Sequence, residues 1–299
     1  MYNIILVIGY GSIGRRHVRI LKRINKNNKV YILTKQKIKN RINDLSEVLK
    51  LNPDYIIIAS KTSLHFKHFS FIEKNFKNKI VLIEKPLFDL YRNIKPKNNY
   101  YYVGYNLRFN PVLQNIKKLI FNKKIWNVNI FCGSYLPTWR PNRDYRNTYS
   151  SIKEEGGGVL LDLSHEIDYA NWLFGPLNIL YSNISKNSNL NIDVEDNATI
   201  IAKNDMGTII NISLNYFSRK PIRQIIIDGQ NISIKSDLLK NKLMYIKNKK
   251  IHKNSYKKTN INYSYLMQHK SIISSKKNLS SFNNGLVILK LINKIKKNC

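Results

Sequence analysis

The stretch that decides the fold is VIGYGSIGRRH, residues 7–17, which carries glycines at Gly9, Gly11 and Gly14. An apolar run, NIILVI at 3–8, precedes the glycines, and an amphipathic helical pattern follows them. In this strand–turn–helix setting, the first glycine permits a tight turn, the second lets a pyrophosphate approach the backbone, and the third lets helix and strand pack closely. The helix N-terminus adds free N–H groups and partial positive charge. The stretch therefore predicts a dinucleotide-phosphate cradle; a plain strand–turn–helix is the alternative.

The first third of the chain alternates short apolar runs with amphipathic segments. Strands are predicted at 3–8, 29–33, 54–59 and 80–84, with a fifth ending near Gly104, and helices at 12–24, 44–50 and 64–76. This alternation is typical of right-handed βαβ units around a parallel sheet that is buried on both faces. We therefore expect an α/β fold in which residues 1–104 form an N-terminal Rossmann dinucleotide-binding domain.

The pattern changes beyond Gly104. The predicted elements there are helices at 110–121, 158–174, 263–275 and 282–297, and strands at 125–132, 193–203, 207–217, 222–228 and 230–235. Turn signals between the successive strands indicate antiparallel pairing. Residues 105–299 are therefore predicted to form a C-terminal α+β domain with a mostly antiparallel open sheet, and the last helix is expected to pack back near the first domain.

Charge is the unusual feature of the composition. The chain has 51 Lys and Arg against 18 Asp and Glu, a formal net charge of +33. The excess runs from Lys22 to Lys297 without a dense block, zinc-ligand spacing or an aromatic RNA-binding signature, so we favour compositional drift over nucleic-acid binding. A basic surface would still attract phosphorylated or carboxylated small molecules.

Cysteine content and hydropathy indicate the compartment. Cys132 and Cys299 are too few for a disulfide framework or a metal cluster, which favours a reduced, cytoplasmic setting without a bound metal. No run approaches the ~18 consecutive apolar residues of a membrane helix, and the N-terminus is interpreted as a strand instead of an export signal. We expect no membrane partner.

The end of the second predicted strand bears on which dinucleotide binds. An NAD site ordinarily carries Asp or Glu about 20 residues after the glycines to bind the ribose 2′-hydroxyl. Here that place holds LTKQ at 33–36, and no acid follows until Asp44. The hydroxyl of Thr34 and the cation of Lys35 suit a 2′-phosphate, and Arg15 adds a second positive contact. We predict NADP(H) over NAD(H), with the alternative that Lys35 is one more lysine in a lysine-rich chain.

Six motifs together resemble the glucose-fructose oxidoreductase/inositol dehydrogenase/rhizopine-catabolism (Gfo/Idh/MocA) oxidoreductases over nearly the whole chain. They are VIGYGSIGRRH (7–17), DYIIIASKTSLHFKH (54–68), IEKPL (83–87), GYNLRFNP (104–111), GGGVLLDLSHEIDYANWLFG (156–175) and FNNGLVILKLINKI (282–295). The resemblance implies a Rossmann domain that carries NAD(P) and a second domain whose sheet supports the substrate pocket and often an oligomer interface. It implies hydride transfer between nicotinamide and a carbon of a sugar, inositol or related polyol, by a homodimer or homotetramer.

The resemblance also assigns catalytic residues. Lys85 of the Glu-Lys-Pro motif would reach the nicotinamide and the reacting oxygen, and Asp162 and His165 match the carboxylate and imidazole on the facing helix. The chemistry asks for such groups, because oxidising an alcohol needs a proton acceptor and imidazole is poised near neutral pH. Three residues apart, Asp162 and His165 would share one helical face. Many family members space the pair by four, which leaves the division of labour open. Alternatively, Lys85 is a surface lysine and His165 packs near Trp172.

The expected contacts follow from the same motifs. Cofactor contacts are predicted at Gly9, Gly11, Ser12, Ile13, Gly14, Arg15, Thr34, Lys35, Ser60, His65, Glu84 and Lys85. Substrate contacts are predicted at Arg108, Trp139, Arg140, Arg143, Tyr145 and Tyr149.

The loop GSYLPTWRPNRDYRNTYS (133–150) bears on the substrate. Aromatic rings stack on sugars and arginine forks bind carboxylate or phosphate, so we predict an anionic sugar. The loop resembles that of a subgroup associated with bacterial surface-polysaccharide sugars. Alternatives are a solvated basic loop and, for the whole chain, a non-catalytic NAD(P)-binding regulator, because a fold does not fix a function.

Overall fold

The computed structural model describes residues 4–256 and 259–298, and Cys299 lies outside the described residues. Two compact units are formed by residues 1–109 with 261–289 and by residues 110–260 with 290–299. The sequence predicted one division, at 104, with 105–299 in the second domain and the helix at 282–297 packing back near the first. The observed division falls at 109, and 261–289 joins the first unit.

The elements are numbered in chain order. The first unit contains β1 (Ile4–Ile8), α1 (Ser12–Ile24), β2 (Lys29–Leu33), β3 (Arg41–Ile42), α2 (Leu45–Leu51), β4 (Tyr55–Ile58), α3 (His65–Asn75), β5 (Ile80–Ile83), β6 (Tyr100–Val103), α7 (Ile261–Ile273), β15 (Ser280–Ser281) and the start of α8 (Phe282–Lys297). The second contains α4 (Pro111–Ile120), β7 (Ile125–Gly133), α5 (Val159–Asp162), α6 (Ser164–Phe174), β8 (Leu177–Ser185), β9 (Asn197–Asn204), β10 (Ile209–Asn215), β11 (Ile222–Gly229), β12 (Ile232–Asp237), β13 (Lys242–Lys247) and β14 (Lys250–Ser255).

The sheet of the first unit has the doubly wound order of a Rossmann fold. Its strand order is β15-β6-β5-β4-β1-β2-β3, and all pairs are parallel except β15 with β6. Val7 of β1 and Ile57 of β4 are fully buried, as expected of strands covered on both faces. The order reverses between β1 and β4, and ligands of such sheets bind at the carboxyl ends of the strands at this point. The predicted fold class is confirmed here.

The sheet of the second unit is mostly antiparallel, as predicted. Its order is β14-β13-β12-β11-β7-β10-β9-β8, and β7 with β10 is its one parallel pair among the described residues. Strands β8, β13 and β14 were not predicted from the sequence. Strand β8 exposes Leu180 and Tyr181, which breaks the alternation, and the β13–β14 hairpin is too rich in lysine to show the apolar alternation of a strand.

The helix predicted at 158–174 is two helices, which corrects the sequence analysis. Leu163, with φ −97° and ψ 25°, separates α5 from α6. At its start, α5 is tied to Glu195, whose carbonyl accepts the Val159 N–H at 3.1 Å. Asp162 therefore ends one helix and His165 lies in the first turn of the next, so the argument that they share a single helical face does not hold. No helix of the described residues is long and apolar enough to cross a membrane.

Candidate active site

Two of the three motif glycines are required by close backbone packing. Gly9 has φ +98°, and a Cβ there would lie 2.6 Å from the Ala59 carbonyl oxygen at the end of β4. A Cβ on Gly14 would lie 2.1 Å from the Gly9 carbonyl oxygen. Only glycine fits at these positions, because the turn after β1 packs directly against the neighbouring strand end and against the first turn of α1.

Gly11 differs from the other two. A Cβ at Gly11 would meet no described atom within 4 Å, and its φ of −72° suits any residue. It is the N-cap of α1, where no side chain of the described residues caps the helix and no acid lies in the first turn. The first-turn amides of Ser12 and Ile13, for which an α-helix offers no carbonyl partner of its own, fit a pyrophosphate together with the space beside Gly11.

The residues after β2 form a small polar network beside the cradle. The Arg15 guanidinium donates to the Gln36 side-chain oxygen at 2.8 Å and to the Tyr10 carbonyl at 3.3 Å. The Gln36 backbone N–H donates to the Thr34 hydroxyl at 3.2 Å, and Lys35 is exposed. Two of the predicted ribose-end residues, Thr34 and Lys35, therefore lie in one turn that Arg15 of α1 reaches through Gln36.

The first acidic residue after this turn, Asp44, caps a helix. Asp44 is the N-cap of α2, and its carboxylate accepts the backbone N–H groups of Ser46 and Glu47. The hydroxyl of Ser46 and these amides lower the pKa of Asp44. The carboxylate is thus held at the start of a helix.

The Glu-Lys-Pro motif follows the end of β5. Glu84 is buried, and its Oε1 lies 2.9 Å from Nε2 of the fully buried His17. Its Oε2 accepts the Lys85 backbone N–H at 3.2 Å. Glu84, predicted as a cofactor contact, therefore has its carboxylate turned toward the interior of the unit, whereas Lys85 is half-buried.

His65 and Ser60, also predicted to line the cofactor, hold the backbone near the motif. The His65 ring is buried between the Pro86 carbonyl, 3.0 Å from Nδ1, and the Ser60 carbonyl, 3.2 Å from Nε2, and burial lowers its pKa. The Ser60 hydroxyl lies 3.0 Å from Nδ1 of His68, whose pKa burial lowers to about 4. His65 thus joins the end of β4 to the segment after Lys85.

Arg108, predicted as a substrate contact, lies inside the first unit. Its side chain is buried and donates to the side-chain oxygen of Asn284 at 3.2 Å and to the Leu279 carbonyl at 3.5 Å. The guanidinium therefore anchors the start of α8.

In the second unit, Asp162 accepts hydrogen bonds from two phenols. The Tyr216 hydroxyl donates to its Oδ2 at 2.9 Å, and Tyr149 is also bonded to the carboxylate. Burial and the nearby carboxylate raise the pKa of both tyrosines, so both remain protonated donors. Asp162 is thus fixed in place by its neighbours.

Two predicted loop residues complete this cluster. Trp139 packs edge-on to Tyr216 with ring centroids 5.2 Å apart, and its indole N–H donates to Ser134 at 2.9 Å. The Arg140 guanidinium lies over the Tyr149 ring, 5.1 Å from its centroid. Trp139, Arg140, Tyr149 and Asp162 are therefore brought together through Tyr216. We call this set the aromatic–carboxylate cluster.

The remaining loop residues are not part of the aromatic–carboxylate cluster. The Tyr145 hydroxyl accepts the Asn191 backbone N–H at 3.2 Å and so ties the loop to that segment. Arg143 is exposed, and the guanidinium of Arg146 is engaged by Asp144 at 2.7 Å. Of the two loop arginines predicted to contact the substrate, Arg143 is exposed and Arg140 is half-buried.

Tyr216 was missed by the sequence analysis, although a signal existed. Every second residue of β10 is buried, from Ile210 through Ile212 to Leu214, and Tyr216 continues that period at 0% exposure. A fully buried tyrosine needs a hydrogen-bond partner for its hydroxyl, and the partner is Asp162.

His165 lies in the first turn of α6 and is buried. The next residue, Glu166, is fully buried and pairs with Arg223 of β11, with Nε–Oε1 at 2.8 Å and Nη2–Oε2 at 3.3 Å. Tyr169 also donates to Glu166 at 3.4 Å. This two-pronged ion pair fixes the start of α6, and thereby His165, to the sheet. Arg223 and Glu166 lie far apart in the sequence, and no local motif marks their pairing.

Breaking this pair is expected to destabilise the second unit. In Arg223→Met, the Glu166 carboxylate stays buried without its cation, which costs about 3–5 kcal/mol. Urea denaturation followed by tryptophan fluorescence measures the loss. Arg223→Met with Glu166→Leu removes both charges and should recover most of the stability. Equal stability of wild type and Arg223→Met would contradict the assignment.

Cys132 is also part of this region but has no reactive character. It is buried, and burial raises the pKa of its thiol to about 12, so it stays protonated. Among the described residues, no group of three His, Cys, Asp or Glu side chains could hold a metal ion.

Comparison with protein families decides the relationship. The family described as "Oxidoreductase family, NAD-binding Rossmann fold" matches residues 4–98, and "GFO/IDH/MocA C-terminal domain" matches residues 113–235. The chain belongs to the Gfo/Idh/MocA oxidoreductase family. Family membership confirms the resemblance drawn from the six motifs.

Individual relatives are distant. The chain is 29% identical over 153 residues to "Uncharacterized oxidoreductase sll0816" of Synechocystis sp. (strain ATCC 27184 / PCC 6803 / Kazusa), a match that covers 48% of this chain and 40% of that protein. The match thus spans less than half the length of this curated relative.

Two solved structures share the fold over almost their whole length. Levoglucosan dehydrogenase in complex with NADH has a TM-score of 0.85 and 16% identity, covering 99% of this chain and 96% of that one. The WlbA dehydrogenase from Bordetella pertussis, in complex with NADH and UDP-GlcNAcA, has a TM-score of 0.80 and 17% identity, covering 100% and 96%. At these identities the likeness concerns the fold alone.

Proposed function

We propose that this chain is an NAD(P)-dependent dehydrogenase or reductase that moves hydride between nicotinamide and a CH–OH carbon of a sugar. The observation that carries the proposal is the cradle: a helix N-terminus without a side-chain cap, beside open space at Gly11, at the reversal point of a doubly wound sheet. Membership of an oxidoreductase family and structural neighbours solved with NADH support it.

The proposal gives each unit a share of the chemistry. Bound nicotinamide supplies the hydride acceptor or donor. Lys85, half-buried at the end of β5, is proposed to bind the reacting oxygen as an ammonium. His165 is proposed to take the hydroxyl proton in oxidation and return it in reduction, since imidazole exchanges protons near neutral pH. Asp162 already accepts from two phenols, so we assign it to orienting the substrate side instead of to moving the proton.

The substrate is proposed to be an anionic sugar, either nucleotide-linked, phosphorylated or acidic, of the kind found in surface polysaccharides. The aromatic–carboxylate cluster supports this, because it offers the Trp139 and Tyr149 rings together with the Arg140 guanidinium. Aromatic faces suit sugar rings and a guanidinium suits carboxylate or phosphate. One structural neighbour was solved with an anionic nucleotide sugar.

Replacing Arg140 with alanine tests the anionic substrate. Once a sugar substrate is found by screening for NADPH production or consumption, Arg140→Ala should raise its KM about tenfold, the loss of roughly one charge-assisted contact. Arg143→Ala, at a more exposed site, should raise KM less. Arg146→Ala is the matched control, because its guanidinium is engaged by Asp144. An unchanged KM in Arg140→Ala and Arg143→Ala would remove the loop from the substrate site.

Two finer assignments complete the proposal. NADP(H) is favoured over NAD(H), because Arg15 of α1 bonds to Gln36 in the turn that carries Thr34 and Lys35, while the carboxylate of Asp44 is held at the start of α2. We further propose a cytoplasmic homo-oligomer, a dimer or tetramer, without a nucleic-acid or membrane partner. As the family resemblance implies, we propose that the first unit binds the cofactor and the second unit binds the substrate.

A further inference from the structure

Four buried side chains form a continuous hydrogen-bonded chain inside the first unit. The Tyr55 hydroxyl lies 3.0 Å from Nδ1 of His269, and Nε2 of His269 lies 2.8 Å from Nδ1 of His17. Nε2 of His17 lies 2.9 Å from Oε1 of Glu84. Tyr55, His17 and His269 are fully buried, and Glu84 is 6% exposed. We call these four residues the buried relay.

The relay has one hydrogen-bond direction when Glu84 is ionised and His17 is a neutral imidazole. A carboxylate only accepts, so His17 donates from Nε2 and, as a neutral ring, accepts at Nδ1. His269 must then donate from Nε2 and accept at Nδ1, where the Tyr55 hydroxyl donates. Every polar hydrogen of the relay points toward Glu84. Burial and the neighbouring His17 lower the pKa of His269 well below its usual range, which keeps that ring neutral.

The relay ends beside Lys85. The second carboxylate oxygen of Glu84 accepts the Lys85 backbone N–H at 3.2 Å, so both oxygens of Glu84 are engaged. Gly104 packs against this carboxylate, and a Cβ there would lie 2.9 Å from the Glu84 Cδ. Glu84 therefore has little room to turn, and its orientation is set by His17 from one side and by the Lys85 amide from the other.

The other side of Lys85 is held independently. The carbonyl of Pro86 lies against the ring of His65, which also reaches the Ser60 carbonyl. The backbone of Lys85 is thus fastened through Glu84 before it and through Pro86 after it. The chemistry proposed for Lys85 needs its ammonium within a fraction of an ångström of one position, and such placement comes from supporting hydrogen bonds.

We propose that His17 and His269 are positioning residues for Lys85: they hold the Glu84 carboxylate so that it fixes the Lys85 backbone amide. The significance of that placement rests on the proposed function, in which Lys85 binds the reacting oxygen. Neither histidine touches the solvent, and Tyr55 closes the far end of the relay at 0% exposure. Because none of these rings reaches water, the relay can fix the orientation of Glu84 but cannot exchange protons with the solvent.

Backbone hydrogen exchange of the Lys85 amide tests the proposal. His269→Phe removes both relay bonds of that ring, and the Lys85 amide should then exchange at least about tenfold faster, because its acceptor is no longer held. His269→Gln keeps a donor toward His17 and should restore most of the protection. The control is His252→Phe; His252 stacks on Tyr245 in the second unit, and its loss should leave the Lys85 amide unchanged.

A second amide separates positioning from general loosening. The Ala59 N–H donates to the Ile8 carbonyl at 2.8 Å in the same sheet and reports on the unit as a whole. The proposal expects the Lys85 amide to lose protection while the Ala59 amide keeps it. Equal acceleration of both amides in His269→Phe, or no change at Lys85, would overturn the proposal.

Nitrogen-15 NMR of the histidine rings in the wild-type protein tests the relay without any variant. The expected state has the proton on Nε2 of both His17 and His269. A proton on Nδ1 of His269 in the ionised-Glu84 state would overturn the assigned direction. These measurements need neither cofactor nor sugar, so they stand apart from the proposed function, which fails if the wild-type protein binds neither NADPH nor NADH.

Discussion

Replacing Gly11 with alanine is expected to weaken NADPH binding at least about tenfold, equivalent to about 1.4 kcal/mol, while the protein folds as before. The reason lies in the contrast among the three motif glycines. Gly11 has a φ that alanine adopts freely, and its Cβ would meet no described atom within 4 Å. The added methyl group therefore occupies only the space in which the pyrophosphate would lie. Nicotinamide fluorescence measures binding, and thermal unfolding verifies the fold, with a midpoint lowered by about 2–4 °C at most because alanine is a poorer N-cap than glycine.

Gly14→Ala provides the opposite case. Its Cβ would lie 2.1 Å from the Gly9 carbonyl oxygen, so the backbone must move, at a cost of about 3 kcal/mol or more in the free energy of unfolding. Loss of binding in Gly14→Ala would thus accompany loss of stability, whereas in Gly11→Ala it would not. If Gly11→Ala bound NADPH as tightly as the wild-type protein, the cradle would not be the phosphate site.

Replacing Lys85 with methionine is expected to lower kcat about 10³-fold, within the range that a positioned proton-transfer or charge-stabilising group contributes. Methionine retains most of the length of the side chain but cannot bind the reacting oxygen. Cofactor affinity should change far less than kcat, because the phosphates are proposed to bind at the glycine cradle, which this substitution leaves intact. Steady-state kinetics with the substrate found by screening, together with NADPH titration, separates the two effects.

Lys50→Met is the matched control for Lys85→Met. Lys50 is exposed on α2, so its loss should leave kcat and KM unchanged. A Lys85→Met variant that kept full kcat would remove Lys85 from the chemistry. If that variant also kept the biological role of the protein, the non-catalytic NAD(P)-binding regulator would become the better description.

Local signals account for most of the fold. Strands β1 and β4 are short apolar runs between helices, and such runs allow little besides a buried parallel sheet. The glycine spacing is equally local. A Cβ on Gly14 would clash with Gly9, five residues earlier, and a Cβ on Gly9 would clash with Ala59 at the end of the adjacent strand. The class of fold, the cradle and the family could therefore be predicted from sequence order alone.

The rest depends on contacts between distant segments. Asp162 contacts Tyr216, the residue after β10, and Glu166 pairs with Arg223 of β11, and neither pairing has a fixed spacing in the sequence. The break at Leu163 falls inside a continuous helical pattern, so periodicity predicted one helix. Likewise, nothing local indicates that α7 returns to the first unit, where His269 meets His17. Arg108 and Glu84 were predicted to contact ligands, but both side chains are buried and bond to other residues of the first unit. Their burial depends on how distant segments pack, which the local sequence does not indicate.

The central claim is that this chain binds a nicotinamide dinucleotide at the Gly9–Gly14 cradle. The most direct test is to titrate the purified protein with NADPH and, separately, with NADH. Binding is measured by the fluorescence of the bound nicotinamide. Saturable binding, tighter for NADPH and weakened in Gly11→Ala, is the predicted result. Tighter binding of NADH would keep the cradle and contradict the assignment of Thr34 and Lys35 to a 2′-phosphate. Binding of neither nucleotide would contradict the account.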